Sequence, residues 1–282
     1  MKIAGYEIKA IETGKFALDG GAMFGVIPKN LWNRTNPADE LNRIELAMRA
    51  LLLKKKDRFI LIDNGIGYKF DEKYKQIYKI DHSKYTIEKS LANQGIDLKQ
   101  ISDVIISHLH FDHAGGTTYL DNGELKLTFP NAIHHIQGEQ WEWALNPSEK
   151  DKASFVKENF ILLEDKGKLN RLDGPGQLFP GIESIVLYGH TPGMQVLKVY
   201  DDQKTLLFCS DLFPTSSHIP VPWIMAYDNN PLITLEEKKR ILPQALEENW
   251  ILFFEHDPSL CAGNVSYSDK SFQLKEKISL IK

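Results

Sequence analysis

The run His108-Leu109-His110-Phe111-Asp112-His113 places four metal-competent side chains within six residues. Imidazole nitrogens and carboxylate oxygens are the donors that zinc, manganese and iron accept. Left without partners in a protein interior, such groups would cost ~1–3 kcal/mol each, so a fold that buries them needs something that satisfies them together. In an extended segment, side chains alternate faces, which directs His108, His110 and Asp112 one way and Leu109 and Phe111 the other. A bend after Asp112 would bring His113 to the same space. The run therefore reads as a ligand cluster at the end of a strand, and the fold must be one with a rigid strand to deliver it.

The apolar pattern supplies such strands repeatedly. Ile3–Ile11 and Ile44–Leu53 read as strands, and Phe59-Ile60-Leu61-Ile62 is a short apolar run ending in the turn signal Asp63-Asn64-Gly65. A helix is expected over Thr86–Gln94, with Thr86 as its cap and Gly95 just past its end. Val104-Ile105-Ile106 then leads to His108. Later, Ile185–Tyr188 runs into Gly189-His190, Thr205–Cys209 into Ser210-Asp211, and Ile251–Phe254 into Glu255-His256. Between the last two strands, Thr234 and Glu237 form a capping-box pattern for a helix toward Leu242, where Pro243 would kink or restart it. Four apolar strands thus end at a His or Asp, and five of the nine histidines stand at such places. Sites in α/β sheets form at strand ends, where loops converge on a rigid frame.

Five His and two Asp exceed one tetrahedral zinc site and suit two metals that share a bridge. His108, His110 and His190 go to one ion and Asp112, His113 and His256 to the other. Asp211 can bridge through its two oxygens. Such a pair holds a bridging hydroxide and polarises a carbonyl or phosphoryl oxygen, while Asp112 can take the proton as the intermediate breaks down. Asp112 and Asp211 are accordingly the catalytic candidates.

The pattern H-x-H-x-D-H, followed by an isolated His, an Asp and a last His, resembles the metallo-β-lactamase superfamily over nearly the whole chain. The resemblance implies an α/β fold, an αββα four-layer sandwich with a dinuclear site at one edge of the two sheets. It also gives Asp63 a role behind a metal-bound His. The presence of Asp211 argues against the true β-lactamases. The spacings look most like the acyl-homoserine-lactone lactonases and the methyl-parathion-hydrolase group, as do the segments 16–25 and 218–223. The best-known lactonases carry a Tyr three residues after the bridging Asp; here that position is Pro214, with Tyr227 or His218 as substitutes.

The remaining features bound the function. No composition shift, linker or repeat interrupts residues 1–282, which favours one domain. A net charge of −4 offers no footprint for nucleic acid or an anionic membrane. No stretch of about 18 apolar residues is present to span a bilayer. The N-terminus lacks an apolar signal region, and Cys209 and Cys261 form no CxxC motif, so the cytoplasm is the expected compartment. The Gly-rich segment 16–32 and the Pro-broken segment 220–227 suggest an apolar canopy over the metals, with Met23, Phe24, His218, Trp223 and Tyr227 as substrate contacts. A homodimer interface, or ordinary core under a long loop, is the competing reading of the same segments. The leading expectation is a hydrolase that uses two divalent ions, zinc first and manganese or iron as alternatives, on a small ester-type molecule, above all a lactone. A glyoxalase II-like thioesterase, a phosphotriesterase-type hydrolase and a mononuclear-iron persulfide dioxygenase are the rival enzymes. A non-enzymatic metal-binding protein stands last.

Overall fold

A computed structural model describes residues 1–280, and within them the chain divides into two compact units. The first comprises residues 1–15 and 48–174, and the second residues 16–47 and 175–282.

Most of one seven-stranded sheet lies in unit 1. Its order is Lys2–Ile3, Tyr6–Asp19, Arg43–Lys55, Arg58–Ile62, Asp103–Ile105, Ile133–Gln137 and Leu169–Leu172. Arg43–Lys55 and Arg58–Ile62 pair antiparallel, as a tight turn permits. From Arg58–Ile62 onward the neighbours are parallel. Parallel pairing requires crossovers, and the apolar faces of Ile87–Ala92 and Gly138–Leu145 supply Ile87, Leu91, Trp141 and Ala144 to one buried cluster. Leu61, Val104 and Ile136 of the strands fill the same cluster. Thr86 caps its helix by accepting from Lys89 N, and Gly95 takes φ +71° just beyond the end, as the sequence indicated.

Unit 2 holds a second seven-stranded sheet, ordered Gly176–Phe179, Ile182–Leu187, Met194–Tyr200, Thr205–Phe208, Ile251–Phe253, Ala262–Ser268 and Ser271–Ile278. Only Thr205–Phe208 and Ile251–Phe253 run parallel, and the helix Pro231–Glu247 makes the crossover between them. That helix differs from expectation at its start. It opens at Pro231, a residue suited to a first turn because its missing N–H would have no partner there. The anticipated Thr234/Glu237 capping box does not form: Glu237 Oε1 instead accepts from Tyr188 N at 2.6 Å and Gly189 N at 3.2 Å. Pro243 lies inside the helix, which continues to Glu247. Ile241, Leu242 and Ala245 pack with Leu207 and Leu252 in the core of this unit.

Among the described residues, no helix is long and apolar enough to cross a membrane.

Candidate metal centre

In unit 1 the ligand run leaves the sheet earlier than its alternation suggested. The strand ends at Ile105, and His110 is the last extended residue before a helical turn, Phe111–Ala114. The bend therefore falls before Asp112, not after it, and Asp112 and His113 both ride on the turn. The outcome is still convergence. His108 Nε2 lies 3.0 Å from His110 Nδ1, the His108 and His113 rings are 4.0 Å apart, and His113 Nε2 is 3.9 Å from an Asp112 oxygen. All four are buried.

The Asp63-Asn64-Gly65 turn fixes this cluster from beneath. Asp63, itself in the left-handed region at φ +57°, accepts from Ser107 N at 2.7 Å and Ser107 Oγ at 2.5 Å. Its Oδ2 also stands 3.0 Å from His113 Nδ1. Asn64 N donates to the His113 carbonyl, and Leu109 N donates to Gln140 Oε1 of the buried helix face. The loops 63–67 and 113–117 lie so close that a Cβ on Gly115 would sit 2.1 Å from the Ile66 carbonyl oxygen.

In unit 2 the ligand candidates are again at strand ends. Glu237 grips the Tyr188–Gly189 backbone and so aims His190, while Asp211 stands on a 3-10 turn after Thr205–Phe208. The two Asp211 oxygens face different imidazoles. Oδ2 is 3.2 Å from His190 Nε2 and Oδ1 is 3.4 Å from His256 Nε2. His256 is held at both ends of its residue: its N–H donates to the Pro214 carbonyl and its Nδ1 faces the Ala47 carbonyl at 2.9 Å.

One regularity runs through both units. In four of the five histidines the ring nitrogen directed away from the cluster is matched by an oxygen. His108 Nδ1 meets Ser107 Oγ at 3.1 Å and His113 Nδ1 meets Asp63. His190 Nδ1 meets Asp228 at 2.9 Å, and His256 Nδ1 meets Ala47 O. A carboxylate or carbonyl there fixes the proton on Nδ1 and leaves Nε2 as a lone pair, the state in which imidazole ligates a metal. The residues thus fit divalent ions by donor chemistry and by tautomer. Ser107, Asp228 and the Ala47 carbonyl were not singled out from sequence, and Glu237 was read only as part of a helix cap. Asp228 sits in the polar run Tyr227-Asp228-Asn229-Asn230, which reads as an ordinary turn.

The expected canopy segments are only partly exposed. Of the apolar residues in segment 16–32, Val26 and Leu31 are exposed, as a canopy would have them, whereas Met23, Phe24 and Trp32 are buried, as ordinary core would be. Phe24 stacks between His218 at 4.6 Å and Trp32 at 5.3 Å, with Trp223 edge-on at 5.7 Å. His218 accepts from Thr215 Oγ1 on Nδ1 and donates from Nε2 to the Met23 carbonyl, and burial lowers its pKa to about 4. Trp223 and Tyr227 are half-buried. The Lys238 ammonium, whose pKa burial lowers to about 7, donates to the carbonyls of His218, Pro220 and Trp223 and so fastens this loop. Asp257 adds bonds from Ser216 N and Oγ.

A cavity of about 430 Å³ opens in unit 1 beside the ligand run. Phe70, Tyr74 and Tyr78 line it, and Phe70 and Tyr78 pack on Phe111 with ring centroids at 5.3 and 4.8 Å. Phe111, which lies between His110 and Asp112 in the chain, backs two of the rings that line the cavity. Burial, with the Asp112 carboxylate second, raises the Tyr78 phenol above its usual range.

Known proteins resemble this chain in sequence and in structure. The family model described as the metallo-beta-lactamase superfamily matches residues 49–258. An N-acyl homoserine lactonase, AiiA, of Bacillus thuringiensis subsp. kurstaki is 30% identical over 171 residues, which cover 59% of this chain. The match spans 60% of that relative's own length. A probable metal-dependent hydrolase from Staphylococcus aureus has a similar structure, with 31% identity and a TM-score of 0.87 over 99% of this chain and 100% of the other. AidC, a dizinc quorum-quenching lactonase solved with a product, N-hexanoyl-L-homoserine, shares the fold at 23% identity and a TM-score of 0.81, covering 99% and 96%. With the His/Asp run, its supporting aspartate and the later His, Asp and His all inside the matched region, the chain belongs to the metallo-β-lactamase superfamily.

Proposed function

We propose that this protein is a dinuclear-metal hydrolase of a small ester-type bond, most specifically a lactonase of the acyl-homoserine-lactone kind. The observation that carries the reading is the set of buttressed imidazoles, each with Nδ1 tied to an oxygen and Nε2 turned toward other ligand candidates. Core histidines that only fill space have no need of this shared tautomer. His108, His110 and His190 are assigned to one ion and Asp112, His113 and His256 to the other. Asp211 would be shared by the two ions, as its differently directed oxygens suit. The donor set fits zinc first, with manganese and iron accepting the same groups.

Divalent ions bound there supply Lewis acidity toward a carbonyl oxygen and lower the pKa of a water toward neutrality. The chain's own work is positional and protonic. Asp63, Asp228 and the Ala47 carbonyl hold imidazoles in the ligating tautomer, and Asp112 accepts a proton and passes it to the leaving oxygen. The cavity lined by Phe70 and Tyr78, whose rings pack on Phe111, would give an apolar acyl arm a place. The lactonase relatives make a lactone the first choice among esters. Cys209 and Cys261, both buried and in no disulfide, suit the reducing cytoplasm.

The test joins substrate to metal. Purified protein is assayed against lactones, thioesters, aryl esters and phosphotriesters, ranked by kcat/KM, with Asp211→Ala in parallel. The expected result is a preference for lactones and, in the variant, loss of at least one of two ions per chain together with turnover. Full activity in metal-depleted protein, or a clear preference for phosphotriesters, would overturn the reading.

A further inference from the structure

The cavity beside the ligand run is not a purely apolar slot, because Lys69 lines it. Its ammonium donates to the carbonyls of Gly115 and Thr118, both at 2.6 Å. An ammonium has three N–H donors, and these two acceptors leave one unassigned. No carboxylate among the described residues lies within salt-bridge distance of Lys69 Nζ. Burial, opposed by the charge of Glu158, lowers its pKa to about 8. A partly desolvated cation of this kind gains from any acceptor that enters the cavity, more than an exposed lysine would.

The other charges at the cavity decide which acceptor. Asp71 and Glu158 also line it. Two carboxylates against one ammonium disfavour an anionic arm and leave a neutral oxygen acceptable. The rings of Phe70, Tyr74 and Tyr78 provide flat apolar walls for the chain that carries the oxygen.

We propose that Lys69 is a specificity residue that hydrogen-bonds a neutral carbonyl or hydroxyl oxygen on the acyl arm of the substrate, so that oxygenated acyl chains are preferred over plain alkyl ones of equal length. The proposal rests on the hydrolase reading for the word substrate, and the discrimination itself needs no turnover. Charge-assisted hydrogen bonds of this sort give about tenfold to a hundredfold in binding when made in a dry site.

Two secondary amides without ester or lactone serve as probes, one with a β-keto acyl chain and one with the unsubstituted chain of the same length. Each is titrated into the metal-loaded protein and followed by tyrosine fluorescence and by calorimetry. The β-keto amide is expected to bind at least tenfold tighter. In Lys69→Met that ratio falls to near one, while Lys69→Arg, which keeps a cation, retains part of it. Because Lys69 also holds the 115–118 loop, thermal melting and metal content of both variants are measured alongside. If Lys69→Met does not fold, the wild-type ratio and the Lys69→Arg ratio decide. Equal binding of the two amides by the wild type overturns the proposal, as does an unchanged ratio in a folded Lys69→Met protein. Should no ester be hydrolysed while the ratio holds, the catalytic reading fails and the acceptor-selective cavity stands.

Discussion

Acidification should unfold this protein partly through one histidine that is not a ligand candidate. His218 is buried, stacked on Phe24, and neutral by construction, since Thr215 donates to Nδ1 and Nε2 donates to Met23 O. Adding a proton to Nδ1 would break the Thr215 bond and put a charge where water cannot reach. Burial accordingly holds its pKa at about 4, against 6.5 for the free side chain. The sign follows from proton counting: between these values the unfolded chain binds a proton that the folded one refuses, so stability is complete above 6.5 and is lost as pH falls toward 4. At pH 5 the two constants give a loss of about 2 kcal/mol, and at pH 7 a loss well under ~1 kcal/mol. Urea unfolding at pH 7 and pH 5, run on the wild type and on His218→Gln, isolates the effect. Gln cannot titrate, and any metal release at pH 5 is common to both proteins and cancels in the difference. The variant is less stable at both pH values because the Phe24 stack is lost, but it should lose about 2 kcal/mol less than the wild type between them. Equal losses in the two proteins would refute the reasoning and place a titrating partner elsewhere.

Two further outcomes follow from the same geometry. Asp228→Ala removes the oxygen on His190 Nδ1 and frees that ring to change tautomer; metal affinity, read by competition with a chelator, should fall roughly 10–100-fold with the fold retained. Gly115→Ala should destabilise for a steric reason alone, because Gly115 has an ordinary helical φ of −62° while a Cβ there meets the Ile66 carbonyl oxygen at 2.1 Å. A cost of about 3 kcal/mol is expected, seen as a fall in Tm of roughly 6–12 °C.

What could be read from residues alone depended on how local its cause was. The apolar runs at 59–62, 205–209 and 251–254 announced strands because buried parallel strands are apolar on both faces, and the donors that follow them were equally local. The bend before Asp112 was not legible. A strand and a helical turn can both bring His108, His110, Asp112 and His113 together, and the choice rests on Gln140 holding Leu109 from another element. Glu237 was misread for the converse reason. Thr234-x-x-Glu237 is a sound local signal for a helix start, but Tyr188 and Gly189, some fifty positions away, direct their N–H groups at Glu237 from a strand end. A buried carboxylate gains more from two such donors than from a cap that Pro231 makes unnecessary. The same logic explains segment 16–32. Its glycines signal a loop, and loops lie at the surface by default, but His218 and Trp223 meet Phe24 there and close it off. Each misreading thus falls where a distant donor or ring overrode a local rule. Two of the three shape ligand-bearing turns, since aiming an imidazole to within a few tenths of an ångström requires restraints from more than one stretch of chain.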